Sequence, residues 1–357
     1  MREIGSEFWL DYSNCESDIT VDKVPSWLEK FGDVVFTNSG RSAISLMLKQ
    51  IDSNIPKNVL LPSYICESVI LPFIKEGYNC YFYEINKDLS PNLESISSYK
   101  NIGIFFHMGY FGFDTNINLN EIIKNFKNNL TIVVEDITHT LFTNRPNIEE
   151  SDFYIGSLRK WLGLPTGGIL CSSRNKLKHP SNENRNFFQI RKDALFLKNL
   201  YMQSGKKNIK NDYLKLFSEA EEVLDNDIEP YKIDSLSLKI LNELDYISLI
   251  AQRRSNFKVL LNLFRENEKI EPIFKDIPNN VCPLFFPIYI KKNRDEIKKY
   301  LVKNKIYCPV HWPLSDYISN NKKDNSFWIY NHILSIPCDQ RYNSEDMSRV
   351  MHAIEIY

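Results

Sequence analysis

Residues 133–140 read VVEDITHT, and residues 153–170 read FYIGSLRKWLGLPTGGIL. The first run is β-rich and delivers an acid, Asp136, at its end, with His139 three residues on. The second is a short apolar strand, then a loop carrying Lys160 between Arg159 and Trp161, then Gly167-Gly168 and another apolar run. The glycine pair lets the backbone return tightly. A strand ending in an acid, followed by a strand, a loop lysine and a returning strand, reads as the rim of an α/β sheet.

Working outward, the same alternation continues upstream. DVVFTNSGRSAISLMLKQI gives a strand at Val34–Phe36, a turn at Asn38-Ser39-Gly40, and a helix with Ala43, Ile44, Met47 and Leu48 on its apolar face. NVLLPSY is a second strand ending at Pro62, and CESVILPFIKEG a helix interrupted near Pro72. NCYFYEI, IGIFFHMGYFG and LTIVVEDI are further strands, with the helix LNEIIKNFKN before the last. Strands alternating with helices over about 150 residues predict a mostly parallel sheet covered on both faces. Ligands of such sheets sit at the C-terminal strand ends. The Ser39–Ser42 turn, Pro62-Ser63-Tyr64, His107–Gly112 and Asp136 all follow strands, so they converge on one rim.

Downstream, residues 187–226 read as helices. Residues 233–264 read as a long helical stretch with Leu236, Ile240, Leu244, Ile247 and Ala251 on one face. The remainder predicts a small α+β domain: a strand LFFPIYI, a helix capped at Asn293, strands IYCPVHW and HILSIPC, and a helix started by Ser344. The expected organisation is an N-terminal arm (1–30), a large cofactor-binding α/β domain (31–233), a linking long helix (234–267) and a small C-terminal α+β domain (268–357).

Composition bounds the partners. The chain has 357 residues, 43% hydrophobic and 25% charged, with a net charge of −1. That is an ordinary globular balance, with no electrostatic footprint for nucleic acid or a membrane surface. Lysine pairs at Lys206-Lys207 and Lys322-Lys323 sit among polar residues and read as solvated faces. Seven cysteines (15, 66, 80, 171, 282, 308 and 338) are odd in number and contain no CxxC, which suits buried thiols in a reducing cytoplasm. The N-terminus has no apolar signal segment. The six histidines lack metal-ligand spacing, so no metal is expected. Neither a G-x-S-x-G elbow nor a G-x-G-x-x-G after a strand occurs.

Each candidate has an ordinary reading beside the chemical one. SGRSAI is an N-cap with a turn glycine, or an anion site in which helix-start N–H groups and the Ser42 hydroxyl hold a phosphate. Asp136 caps a turn, or keeps a pyridine nitrogen protonated through a charge-assisted hydrogen bond. Lys160 is a solvated loop lysine, or an amine that holds a cofactor carbonyl as a Schiff base and later moves the proton, with Arg159 supplying adjacent charge or contacting the phosphate. A strand-end acid, a loop lysine and an anion turn on one rim are together what pyridoxal phosphate needs.

SGRSAI (39–44), LPSYICESV (61–69), VVEDITH and SLRKWLGLPTGG together resemble the DegT/DnrJ/EryC1/StrS family, and the C-terminal pieces RRSNFKVLL, PVHWPL and LSIPCDQRYNSEDM extend the resemblance over most of the chain. The family comprises fold-type-I, pyridoxal-phosphate-dependent aminotransferases acting mostly on nucleotide-linked keto-sugars. The resemblance implies Lys160 as Schiff-base lysine and proton shuttle, Asp136 on the pyridine nitrogen and His139 near the ring oxygen. It implies Gly40, Arg41 (by its backbone) and Ser42 on the phosphate, helped by Ser157. Tyr64, or an aromatic of MGYFG, would stack on the cofactor. His311 and Arg341 are candidates for the anions of amino donor or sugar nucleotide. A homodimer with glutamate as donor is the family expectation.

The chain departs from the family pattern in four places. Ser157 lies only three residues before Lys160. Cys66 occupies a position where an aromatic is common. Thr166 stands where an acid often precedes the glycine pair, and PYKIDSLS (230–237) replaces an Asn-x-Arg signature. Two other functions stay open on the sequence: a lyase, dehydratase or synthase of the same fold, and a non-catalytic protein that retains it.

Overall fold

Apolar runs rich in Val, Ile, Leu and Phe, each closed by a Pro, Gly or polar turn, become the strands of a seven-stranded sheet. A computed structural model describes residues 2–11, 24–116, 118–145, 151–172, 174, 176–265, 268–318 and 325–356. Cys15 and the Lys322-Lys323 pair lie outside them. After β1 (Ile4–Gly5), the chain enters the large sheet with β2 (Asp33–Thr37), α1 (Gly40–Leu48), β3 (Asn58–Pro62), α2 (Glu67–Lys75) and β4 (Asn79–Tyr83). It continues with α3 (Leu93–Ser97), β5 (Ile104–Met108), α4 (Asn120–Asn128), β6 (Ile132–Asp136), β7 (Phe153–Ser157) and β8 (Gly168–Ser172).

The strand order is β2-β8-β7-β6-β5-β3-β4. Strands β7, β6, β5, β3 and β4 pair in parallel, while β8 runs antiparallel to both of its neighbours. All five residues of β5 are buried, as a central strand covered on both faces requires. The order reverses between β3 and β5, and the C-terminal ends of β5 and β6 meet at the register Met108 opposite Asp136. Helix α2 is continuous through Pro72, which lies inside it and is buried. The interruption expected there does not occur: Pro72 lacks one N–H bond, but its carbonyl still accepts from Glu76 (3.1 Å).

Helices α5 (Arg185–Ser204) and α6 (Lys207–Asn226) form a hairpin turned at Gly205, whose φ of +70° suits glycine and whose N–H returns to Tyr201 (2.7 Å). The stretch expected as one long helix is two, α7 (Ser235–Asn242) and α8 (Tyr246–Leu263). The Asp245 carboxylate accepts from the Ser248 N–H and starts a new helix with a new phase. The apolar stripe therefore does not run on: Ile247 is 67% exposed, and the buried side of α8 is Leu249, Arg253, Asn256, Phe257 and Leu260.

The C-terminal part holds β9 (Ile270–Pro272), β10 (Phe286–Ile290), α9 (Arg294–Lys303), β11 (Ile306–Tyr307), α10 (Asn325–His332), β12 (Ile333–Ile336) and α11 (Ser344–Ile356). Its sheet is antiparallel, in the order β12-β10-β9. Phe257, Phe286, Ile288, Leu334, Met347 and Val350 pack as its core. The IYCPVHW segment contributes only β11, and that strand pairs in parallel with β1 of the arm instead of joining this sheet. Two caps also differ from expectation. Asn293 has a φ of +61° and its side chain caps nothing, so α9 starts on Asp295 and Glu296 in its first turn. Asn343, not Ser344, caps α11, accepting from the N–H groups of Glu345 and Asp346. Among the described residues no helix is long and apolar enough to cross a membrane.

Candidate active site

Six of the predicted site residues, Gly40, Arg41, Asp136, His139, Ser157 and Lys160, line one cavity of about 140 Å³ at the C-terminal end of the sheet. Each arrives there for a local reason. Ser39 caps α1, its hydroxyl accepting the Ser42 N–H (3.1 Å), so the helix start above it presents the Gly40 and Arg41 amides. A methyl on Gly40 would stand 3.5 Å from the Ser157 Cβ and fill the space over that start. Gly168 allows β8 to pass tightly: a Cβ there would lie 2.2 Å from the Ser39 carbonyl oxygen. Gly167 N–H binds the Asn38 carbonyl (2.8 Å), fastening the lysine loop to the anion turn.

Thr138, which the sequence reading passed over, ties acid, serine and lysine together. Its N–H donates to Asp136 Oδ1 (2.7 Å), its hydroxyl oxygen accepts the Ser157 N–H (2.9 Å), and its carbonyl accepts Trp161 Nε1 (2.7 Å). Trp161 is fully buried beneath the Arg253 guanidinium (4.5 Å). The residue after Lys160 is therefore fixed, while Lys160 itself reaches open space. Lys160 lines both this cavity and a second one of about 390 Å³.

Burial sets the electrostatics. Asp136 is 5% exposed, and desolvation pushes its carboxyl up to about 6 despite the Thr138 hydrogen bonds and the charge of Lys160. Burial and the Lys160 charge push His139 down to about 3, so its ring is neutral. Its Nδ1 accepts the Phe111 N–H (3.1 Å), which places its proton on Nε2. The Trp312 ring stacks on His139 at 5.3 Å and also lines the cavity.

Four predicted residues lie elsewhere. The Ser42 hydroxyl shares its proton between Asn38 Oδ1 and the Glu229 carbonyl (2.7 Å), away from the cavity. Tyr64 is fully buried, bonds the His311 carbonyl and packs on Tyr110 and Trp312, so it does not face the cofactor space. The cavity's indole is Trp312, of the PVHWPL segment. His311 and Arg341 line the second cavity. Arg341 is already engaged there by Asp339 (2.7 and 2.9 Å) and by the Glu7 and Ser6 carbonyls, over the Phe8 ring, so it clamps the arm. His311 Nδ1 pairs with the Ser335 hydroxyl (2.8 Å).

Three arginines meet at Glu221 on α6: Arg41 and Arg159, both singled out in the sequence, and Arg191, which was not. Arg159 reaches it at 3.1 Å, Arg41 at 3.3 Å and Arg191 at 3.9 Å. Burial alone would raise this carboxylate, but Arg159, Arg41, Lys160 and Arg191 hold it well below its usual range. Two departures from the family pattern also meet each other. The Thr166 hydroxyl binds the Asp234 carboxylate and its N–H the Ser237 hydroxyl (3.1 Å), so the segment replacing Asn-x-Arg anchors the loop that lacks the acid.

The cavity fits pyridoxal phosphate: an anion-holding helix start at one end, a buried carboxylate for a ring nitrogen, an Nε2–H donor beside it, and a lysine at the mouth. Residues 235–355 match the model of the DegT/DnrJ/EryC1/StrS aminotransferase family. No curated protein matches the chain in sequence. Among solved structures, Helicobacter pylori PseC, an aminotransferase involved in the biosynthesis of pseudoaminic acid, superposes with a TM-score of 0.71 at 13% identity, covering 100% of this chain and 99% of that one. The PLP form of the putative sugar aminotransferase Spr1654 from Streptococcus pneumoniae gives 0.69 at 13% identity, covering 99% and 100%. DesV from S. venezuelae, in complex with a ketimine intermediate, gives 0.66 at 15%, covering 92% and 86%. The family's model thus matches residues 235–355 of this chain, and the fold of these aminotransferase structures extends over its whole length.

Proposed function

We propose that the protein moves an amino group from an amino acid, glutamate in the first instance, to the keto group of a nucleotide-activated sugar. In this reading it works in the cytoplasm as a homodimer, in polysaccharide or secondary-metabolite biosynthesis. The observation that carries the reaction class is the convergence of Asp136, His139 and Lys160 on one cavity with the helix start at Gly40. Bound pyridoxal phosphate supplies an electron sink for the exchange.

The chain's own residues do the rest. The Gly40 and Arg41 amides hold the phosphate end. The Asp136 carboxylate keeps the ring nitrogen protonated, and a charged partner removes the desolvation penalty that its raised pKa records. His139, its Nδ1 taken by the Phe111 N–H, would offer its Nε2–H to the ring oxygen. Lys160 Nζ would hold the cofactor and, when free, would serve as the general base and acid that moves the proton. Support for an anionic acceptor comes from the second cavity, where six cationic side chains face three carboxylates, and from the sugar aminotransferases among the structures of the same fold.

The half-reaction tests this. Cofactor-loaded protein mixed with glutamate is expected to lose the absorbance of the lysine-bound cofactor and to form 2-oxoglutarate stoichiometrically. Formation of ammonia or of an eliminated product, without amine transfer, points to a lyase and overturns the reading.

A further inference from the structure

The cavity of about 390 Å³ beside Lys160 contains a cation that the cofactor chemistry leaves unused. Arg191, on α5, is 3% exposed, yet its nearest carboxylate oxygens stand at long ion-pair distances, 3.6 Å (Glu7) and 3.9 Å (Glu221). Its Nε is buried with no partner. The Phe217 ring supports the guanidinium at 4.9 Å. A planar fork of five donors, buried with its Nε unpartnered and only long contacts to two carboxylates, has donors left for an anionic ligand.

The neighbours say what kind of ligand. Arg159, bound to Glu221 through one nitrogen and with its own Nε unpartnered, lines both this cavity and the smaller one, as does Lys160, and so stands between the two. Glu221 bridges the arginines and is the group an incoming anion would displace. Arg341 and Arg253, the other arginines of the wall, are already engaged, the first by Asp339 and the second by Gln340 and the Pro283 and Leu284 carbonyls. Arg191 does not line the smaller cavity that holds the Gly40 turn, so its anion is not the cofactor's phosphate.

We propose that Arg191, seconded by Arg159, seats the anionic group of the substrate that exchanges nitrogen at Lys160, with Glu221 as the carboxylate it displaces. This rests on the aminotransferase reading. The ligand chemistry is a carboxylate or phosphate held by a bidentate guanidinium, and two probes separate the sources: succinate for the acid of an amino donor, inorganic pyrophosphate for the diphosphate of a nucleotide sugar.

The test is calorimetric titration of the cofactor-loaded protein with each probe. Wild type is expected to bind one of them. Arg191→Gln is expected to weaken that binding by about tenfold or more, Arg191→Lys by less, and Glu221→Gln to tighten it several-fold. Neither probe binding to wild type, or equal affinity in Arg191→Gln, overturns the proposal. Should Arg191→Gln not fold, Glu221→Gln decides: unchanged or weaker binding overturns it. Borohydride trapping of the cofactor on Lys160 in the same samples separates the two failures. Trapping with no Arg191 effect removes only this inference, whereas no trapping in wild type removes the functional reading.

Discussion

Replacing Asp136 by Asn separates what stability favours from what function requires. In the cofactor-free protein Asp136 is 5% exposed, and its carboxyl sits at about 6 against an ordinary 3.8. A raised acid pKa means the folded chain holds its proton more tightly than the unfolded chain. Stability is thus full below about pH 3.8 and declines as pH rises to about 6, after which the loss stays constant. The gap of about two units corresponds to about 3 kcal/mol above pH 7. Asn keeps an oxygen for the Thr138 N–H and carries no charge. Asp136→Asn is therefore expected to raise the stability of the cofactor-free protein by up to about 3 kcal/mol at pH 8, with no gain at pH 4. Urea unfolding of both proteins at the two pH values reads this directly. A variant no more stable than wild type at pH 8, or one equally stabilised at pH 4, refutes the reasoning. With cofactor present the order is expected to reverse, because only the carboxylate pairs with a protonated ring nitrogen.

Three further substitutions test the framework around the site. Gly168→Ala, whose Cβ would lie 2.2 Å from the Ser39 carbonyl oxygen, is expected to cost about 3 kcal/mol and to weaken cofactor binding, read by thermal unfolding and cofactor titration. Breaking the buried Glu135–Arg145 ion pair with Glu135→Gln is expected to cost about 3 kcal/mol or more and to lower the unfolding midpoint without abolishing cofactor attachment. Asn256 donates to the Cys338, Asp339 and Tyr342 carbonyls, so Asn256→Ala should loosen the loop presenting Gln340 and Arg341; about 2 kcal/mol of lost stability and faster proteolysis near residue 340 are expected.

How much of this was readable beforehand depended on the range of the signal. Strands of the large sheet, the Gly40 turn and the Asp136–Lys160 pair carry local signatures: apolar period, turn residues and strand-end position. The break at Asp245 was also local but masked, because Leu236, Ile240 and Leu244 extend smoothly into an apparent stripe; the Ser248 N–H bond to Asp245 outcompetes it. Tyr64 was misplaced because a rim position does not say which way a ring turns, and packing with Tyr110, Trp312 and Tyr330 turns it inward. The Glu221 cluster unites residues 41, 159, 191 and 221, whose approach exists only after the α5–α6 hairpin docks, so no spacing announces it.

The central claim is that Lys160 holds the cofactor opposite Asp136. Borohydride reduction of the cofactor-loaded protein, followed by peptide mass mapping, tests it most directly. A phosphopyridoxyl adduct on the peptide containing Lys160, absent from Lys160→Ala, is the result predicted. An adduct on another lysine, or none on wild type, would contradict the account.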